Sequence, residues 1–125
     1  QMAHGFLQSF DKNITVCSAG TEPADVINEK AVAVMKEAGI DISNHRPEPV
    51  EKYAGEAWDY VITVCDDARE TCPVFTGRVN KRLHIGFEDP SKVSGTDEFI
   101  LGEFRRIRDM IRKEFLKFYK DNLKI

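Results

Sequence analysis

Two cysteines are the residues of this sequence whose type and spacing suggest chemistry most clearly. Cys65 and Cys72 lie in VITVCDDARETCP, where an apolar run typical of a buried strand ends at Cys65. Their separation of seven positions is too long for two cysteines on adjacent turns of a helix. A disulfide needs α-carbons within about 7 Å, so the segment must bend or rearrange before the sulfurs bond. Such a pair is suited to a redox relay.

Other uses of the thiols remain open. The acidic side chains between the two cysteines favour protonated thiols, whereas Arg69 favours thiolates. A free cysteine is commonly a small buried hydrophobe, and we expect Cys17, inside ITVCSAG, to be core packing. Zinc binding is a third possibility, but Cys-x6-Cys with scattered His45 and His84 lacks the paired spacing of structural zinc sites.

A carboxylate pair follows another predicted strand. In GFEDPSK, Glu88 and Asp89 come directly after RLHIGF, and Pro90 restricts the backbone of the turn. A carboxyl group on a rigid loop at a strand end is a candidate general acid. Asp-Pro also begins ordinary turns, so both interpretations stay open. The three histidines of the chain are expected to be surface or hydrogen-bonded residues rather than catalysts.

The elements that must position these residues alternate between helices and strands. The apolar spacing predicts a helix over the first ten residues, strands over ITVCSAG, DYVITVC and RLHIGF, a short helix near residues 49–54, and helices after Asn28 and Thr96. This order predicts an α/β fold, a three-layer sandwich with a central parallel sheet. Functional loops of such sheets lie at the carboxyl ends of strands, where Cys65 and the Asp89 loop are expected.

The two later helices carry clear start and stop signals. Asn28 and Thr96 are expected to cap their first turns, and Gly39 is expected to end the first of these helices in a left-handed conformation. The predicted buried faces are Ala31, Val34, Met35 and Ala38 on the first, and Ile100, Phe104, Ile107, Ile111, Phe115 and Phe118 on the second.

Composition limits the class of protein. A chain of 125 residues is expected to form one domain, over residues 1–125. A net charge of −3 gives no electrostatic footprint for nucleic acid or an anionic membrane. Three cysteines, an odd number, argue for reduced thiols in a cytoplasm rather than a secreted disulfide framework. We expect a cytoplasmic monomer with no metal site and no bound cofactor.

The motifs together resemble a known family. CSAGTEP, AVAVMKEAGIDISNH, DYVITVCDDARETCP, HIGFEDP and FRRIRDMI are similar, in order and spacing, to the thioredoxin-coupled arsenate reductases, which share the low-molecular-weight tyrosine phosphatase fold. The similarity is specific at VCDDARETCP, because phosphatases on the same fold do not need the two redox cysteines. The resemblance implies arsenate as the substrate and thioredoxin as the external reductant.

The resemblance also implies a sequence of thiol reactions. A cysteine of the family's phosphate loop attacks arsenate, and the residue matching Cys65 then attacks that cysteine, which releases arsenite. The residue matching Cys72 next attacks Cys65, and the Cys65–Cys72 disulfide becomes exposed for thioredoxin. Asp89 occupies the place of the general acid that protonates the leaving hydroxyl.

Two departures from the family pattern concern the start of the chain. Some members bind potassium with an acidic residue where this chain has His4, so that site is not carried over. The phosphate loop, Cys-x5-Arg followed by Ser, precedes the residue that matches Gln1; its N–H groups and Arg hold the oxyanion. The first helix also begins without a cap. We expect the sequence to lack an N-terminal strand and this loop, roughly 15 residues, and to be inactive without them.

Two other functions remain open. A tyrosine-phosphatase-type hydrolase would use Asp89 but not Cys65 and Cys72, and Ser91 and Lys92 are not the aromatic residues that frame phosphotyrosine in family phosphatases. A catalytically inactive remnant, acting as a binding or redox-relay domain, would cycle the Cys65–Cys72 disulfide without arsenate.

Overall fold

The helices and the two later strands form where the apolar spacing predicts them. The computed structural model describes residues 1–19, 28–46, 48–65, 77–88, 90 and 93–123. The helices are α1, Met2–Phe10; α2, Glu29–Glu37; and α3, Asp97–Phe118, which continues as a π-helical turn over Tyr119–Leu123. A 3₁₀ helix spans Val50–Lys52, and the strands are β1, Trp58–Cys65, and β2, Val79–Phe87.

The predicted helix caps are confirmed. Asn28 accepts a hydrogen bond from the backbone N–H of Lys30 at 2.8 Å, which satisfies a donor that the first turn of α2 leaves unpaired. Thr96 does the same for the N–H of Phe99 in α3, at 3.2 Å. Gly39 ends α2 with a φ of +82°, a left-handed conformation that only glycine adopts without strain.

The three helices pack against one another in one compact unit. Each contributes apolar side chains at the predicted spacing, and the buried set includes Phe6 and Leu7 of α1, Ala31, Val34 and Met35 of α2, and Phe104, Ile107, Ile111, Phe115 and Phe118 of α3. Ala38 was predicted to be buried but is exposed, because α2 ends at Glu37 and residue 38 no longer follows the buried stripe.

An ion-pair cluster joins the exposed edges of α2 and α3. Arg105 binds Glu37 through two nitrogens, with Nε 2.9 Å from Oε1 and Nη2 2.8 Å from Oε2. Arg108 Nη1 lies 3.0 Å from Glu37 Oε1 and 2.9 Å from the carbonyl oxygen of Val34. The hydrogen bonds from Arg105 hold the pKa of Glu37 down at about 2, so this carboxylate stays charged in mild acid.

The second compact unit contains the 3₁₀ helix and the two strands. β1 and β2 pair in parallel, with Trp58 opposite Val79 at the start and Ile62 opposite Leu83 further along. The indole of Trp58 donates to the carbonyl oxygen of Tyr53 at 3.0 Å and meets the Tyr53 ring edge-on. The predicted parallel pairing is therefore confirmed for these strands.

The predicted strand over ITVCSAG is not formed by its described residues, 14–19, which have no regular secondary structure. Half-buried and exposed residues still alternate along them, with Val16 half-buried and Cys17 exposed. A strand exists only with a neighbour to pair with, and the sheet within the described residues consists of β1 and β2. The expectation that Cys17 is core packing is wrong, because the alternation places it on the solvent side.

Among the described residues, no helix is both long enough and apolar enough to cross a membrane.

Candidate active site

Cys65 is the last residue of β1, as the sequence predicts. Its backbone lies opposite Phe87, the last residue of β2, so both strands end at the same edge of the parallel pair. Ligand sites of parallel sheets lie at this edge, because loops from adjacent strands meet there. The backbone therefore places Cys65 where a reacting thiol is expected; its side chain lies outside the described part of the structure.

The other two predicted site residues, Cys72 and Asp89, lie outside the described residues. The described residues on either side of Asp89 agree with the predicted turn after β2. Glu88 is exposed directly after the buried Phe87, and the N–H of Val93 donates to the carbonyl oxygen of Pro90 at 3.3 Å. The roles of Cys65, Cys72 and Asp89 therefore stay predictions.

A side-chain contact that the sequence analysis missed joins the strands just before Cys65. Thr63 Oγ1 lies 2.6 Å from His84 Nδ1, and the same oxygen is 3.5 Å from the carbonyl oxygen of Leu83. Thr63 and His84 lie opposite each other in the strand register. Only the pairing of β1 with β2 brings them together, so no spacing along the chain could have indicated the contact. The expectation that His84 is a hydrogen-bonded residue is confirmed.

One Cys-x5-Arg spacing does occur in the chain, from Cys72 to Arg78 in CPVFTGR. A phosphate loop needs a helix after it, because the N–H groups and dipole of the helix N-terminus hold the anion. Arg78 instead directly precedes β2, and its carbonyl oxygen accepts a hydrogen bond from the N–H of Trp58 at 2.7 Å. Arg78 is therefore not followed by the helix that a phosphate loop requires.

Two histidines meet at the first turn of α1. The ring centroids of His4 and His45 are 4.5 Å apart, and His45 Nδ1 lies 3.2 Å from Gln1 Oε1. Burial and the neighbouring His45 lower the pKa of His4 to about 4, and burial also lowers the pKa of His45. Both rings are neutral at neutral pH, so they provide no positive charge for an anion.

No group of three or more potential metal ligands occurs among the described His, Cys, Asp and Glu residues.

Comparison with known proteins gives the family. The model of the low molecular weight phosphotyrosine protein phosphatases matches residues 1–124. The chain belongs to this family. It is 40% identical over 119 residues to an arsenate reductase of Halalkalibacterium halodurans, covering 94% of this chain and 84% of the relative. An arsenate reductase of Bacillus subtilis matches with the same identity and coverage.

Solved structures confirm the predicted fold class. An arsenate reductase in the phosphate binding state superposes with a TM-score of 0.77 at 28% identity, covering 96% of this chain and 86% of that chain. An arsenate reductase in the oxidized state superposes with a TM-score of 0.72 at 27% identity and the same coverage. The chain therefore has the low-molecular-weight phosphatase fold, and the resemblance seen in its motifs is confirmed.

Proposed function

We propose that this protein reduces arsenate to arsenite by a thiol–disulfide cascade. The observation that carries the proposal is Cys65 at the end of β1, with Cys72 seven positions further along the sequence, in a chain 40% identical to arsenate reductases. Two further findings support it: related arsenate reductases were solved in reduced and oxidized states, and one in a phosphate binding state. Phosphate has the charge and shape of arsenate.

The cascade has three covalent steps. A cysteine thiolate of the phosphate loop attacks arsenic and displaces a hydroxyl group, which Asp89 protonates so that it leaves as water. The Cys65 thiolate attacks that cysteine's sulfur; the S–S bond forms as the S–As bond breaks, and the electron pair reduces As(V) to As(III), released as arsenite. Cys72 then attacks Cys65 and displaces the first cysteine as a thiolate.

The remaining Cys65–Cys72 disulfide is reduced by the dithiol of thioredoxin, which becomes oxidised and completes the cycle. A cytoplasmic location would provide this reductant. By resemblance, the first cysteine and its loop belong before the residue that matches Gln1. We therefore propose that residues 1–125 require that segment for turnover, and that the protein acts as a monomer without a bound cofactor.

Cysteine variants of the full-length protein test the proposal. Arsenate-dependent turnover is followed by coupling thioredoxin and its reductase to NADPH oxidation. Cys72→Ser should abolish turnover, because no thiol remains at residue 72 to attack the disulfide between Cys65 and the first cysteine. Cys17→Ser is the matched control and should leave turnover unchanged, since Cys17 is exposed and has no role in the cascade. Equal activity of both variants would contradict the proposal.

The same variants distinguish the proposed reductase from a phosphatase, the alternative that the matched family supports. If the protein is a phosphatase, it should hydrolyse p-nitrophenyl phosphate with Cys72→Ser as active as the wild type, and show no thioredoxin-dependent arsenate reduction. If it is a redox-relay domain without catalysis, thioredoxin should cycle Cys65 and Cys72 but arsenate should not accelerate NADPH oxidation.

A further inference from the structure

The regular pairing of β1 and β2 breaks directly before Cys65. Thr63 lies opposite His84, but the next recorded pair is Cys65 opposite Phe87, which is two residues further along β1 and three further along β2. β2 therefore has one more residue than β1 in this interval. Such an extra residue interrupts the hydrogen bonds between the strands and bends its strand locally. The backbone ladder therefore holds the end of β1 less firmly than its middle.

The Thr63–His84 contact lies at the last regular pair before this break. Thr63 is half-buried, and its hydroxyl contacts both the His84 ring, at 2.6 Å, and the carbonyl oxygen of Leu83, at 3.5 Å. One side chain of β1 thus contacts two groups of β2. The contact therefore adds a side-chain link between the two strands at the point where the backbone ladder is interrupted.

We infer that Thr63 and His84 are positioning residues for Cys65. Their hydrogen bond holds the carboxyl end of β1 in register with β2, and so fixes the backbone from which the Cys65 thiol reacts. Attack of one sulfur on another requires a narrow approach, and displacement of the nucleophile by about 1 Å costs up to two orders of magnitude in rate. The inference rests on the proposed role of Cys65 as the attacking thiol.

A second cross-strand contact provides a matched control. Asn80 Nδ2 donates to Asp59 Oδ1 at 3.1 Å, between the same two strands but near their amino ends. Asn80→Ala removes a hydrogen bond of the same class far from Cys65. If weaker strand pairing in general slowed the reaction, loss of either hydrogen bond would lower the rate. If Thr63 positions Cys65, only loss of the hydrogen bond at the Thr63 end should lower it.

The experiment compares Thr63→Val, Thr63→Ser and Asn80→Ala in the full-length protein. Thr63→Val should lower kcat for arsenate reduction about three- to tenfold, the range expected when one hydrogen bond is lost from a reacting state. KM for arsenate should not change, because Thr63 does not bind the substrate. Thr63→Ser should restore kcat to within about twofold, since it keeps the hydroxyl. Asn80→Ala should match the wild type.

A second measurement distinguishes a failure of this inference from a failure of the proposed function. Diamide oxidises the two thiols to a disulfide without arsenate, and the rate of Cys65–Cys72 bond formation should fall by the same factor in Thr63→Val. Wild-type rates in Thr63→Val, an equal loss in Asn80→Ala, or no rescue by Thr63→Ser would overturn the inference. Absence of arsenate reduction by the wild type would overturn the proposed function alone. If Thr63→Val does not fold, His84→Leu, with His84→Asn as its rescue, tests the same bond.

Discussion

Gly5 should be a position where even one added methyl group destabilises the protein. A Cβ atom at Gly5 would lie 2.8 Å from Ile42 Cγ2, 3.1 Å from Met35 Cε and 3.2 Å from Ile40 Cγ2. The methionine methyl group is the flexible end of its side chain and can move aside. The isoleucine Cγ2 atoms are attached at the branched Cβ, so they move only with the backbone or with a change of χ1.

The expected size of the effect follows from two opposing contributions. Alanine is favoured over glycine in a helix interior by about 1 kcal/mol, whereas an extra methyl group in a packed core costs about 1–3 kcal/mol. Gly5→Ala should therefore lower the free energy of unfolding by up to about 2 kcal/mol. Gly102→Ala is the control: a Cβ there meets nothing within 4 Å, so only the helix preference remains. It should raise the free energy of unfolding by about 1 kcal/mol.

Urea unfolding followed by circular dichroism measures both variants. The difference between them isolates the packing contribution, because the helix preference is common to both. We expect a difference of about 1–3 kcal/mol. Equal stabilisation by the two substitutions would refute the reasoning and would mean that α1 does not approach Ile42 closely.

Two further predictions concern pH. The pKa of His4 is lowered from 6.5 to about 4 in the folded state, so stability gained from its neutral form is present above pH 6.5 and lost as the pH falls towards 4. Between pH 6.5 and pH 4, the free energy of unfolding should fall by about 1–2 kcal/mol less in His4→Leu than in the wild type. This is less than the full shift in pKa would give, because His4 is only half-buried. If the urea midpoint depends on pH equally in the two proteins, the prediction is contradicted. Glu37 has its pKa lowered from 4.5 to about 2, so its contribution is present above pH 4.5 and lost as the pH falls towards 2. The melting temperature of Glu37→Gln should be below that of the wild type at pH 7 and converge with it near pH 2; a constant gap across this range would show that the charge on Glu37 is not the cause.

The sequence predicts local structure well where local signals decide it. Asn28 and Thr96 cap their helices as expected, and Gly39 ends α2, because caps and stops depend on a few adjacent residues. The long apolar stripe from Phe104 to Phe118 is buried as predicted, since a helix completes its own hydrogen bonds and needs only one face covered.

Features that depend on distant partners were predicted less well. The apolar run ITVCSAG suggested a strand, but a strand also requires a neighbour, which no single segment reveals. The exposure of Cys17 and the Thr63–His84 contact likewise depend on pairing and register. In contrast, the position of Cys65 at a strand end could be predicted, because the apolar run itself ends there.

The most direct test of the central claim is to map disulfides after a single turnover. The full-length protein is reduced, freed of reductant and mixed with an equivalent of arsenate without thioredoxin. It is then alkylated and digested for mass spectrometry. We expect a peptide pair linked through Cys65 and Cys72, together with release of arsenite, while Cys17 is alkylated. If Cys65 and Cys72 are both alkylated after arsenate is added, the thiol cascade proposed for this protein is wrong.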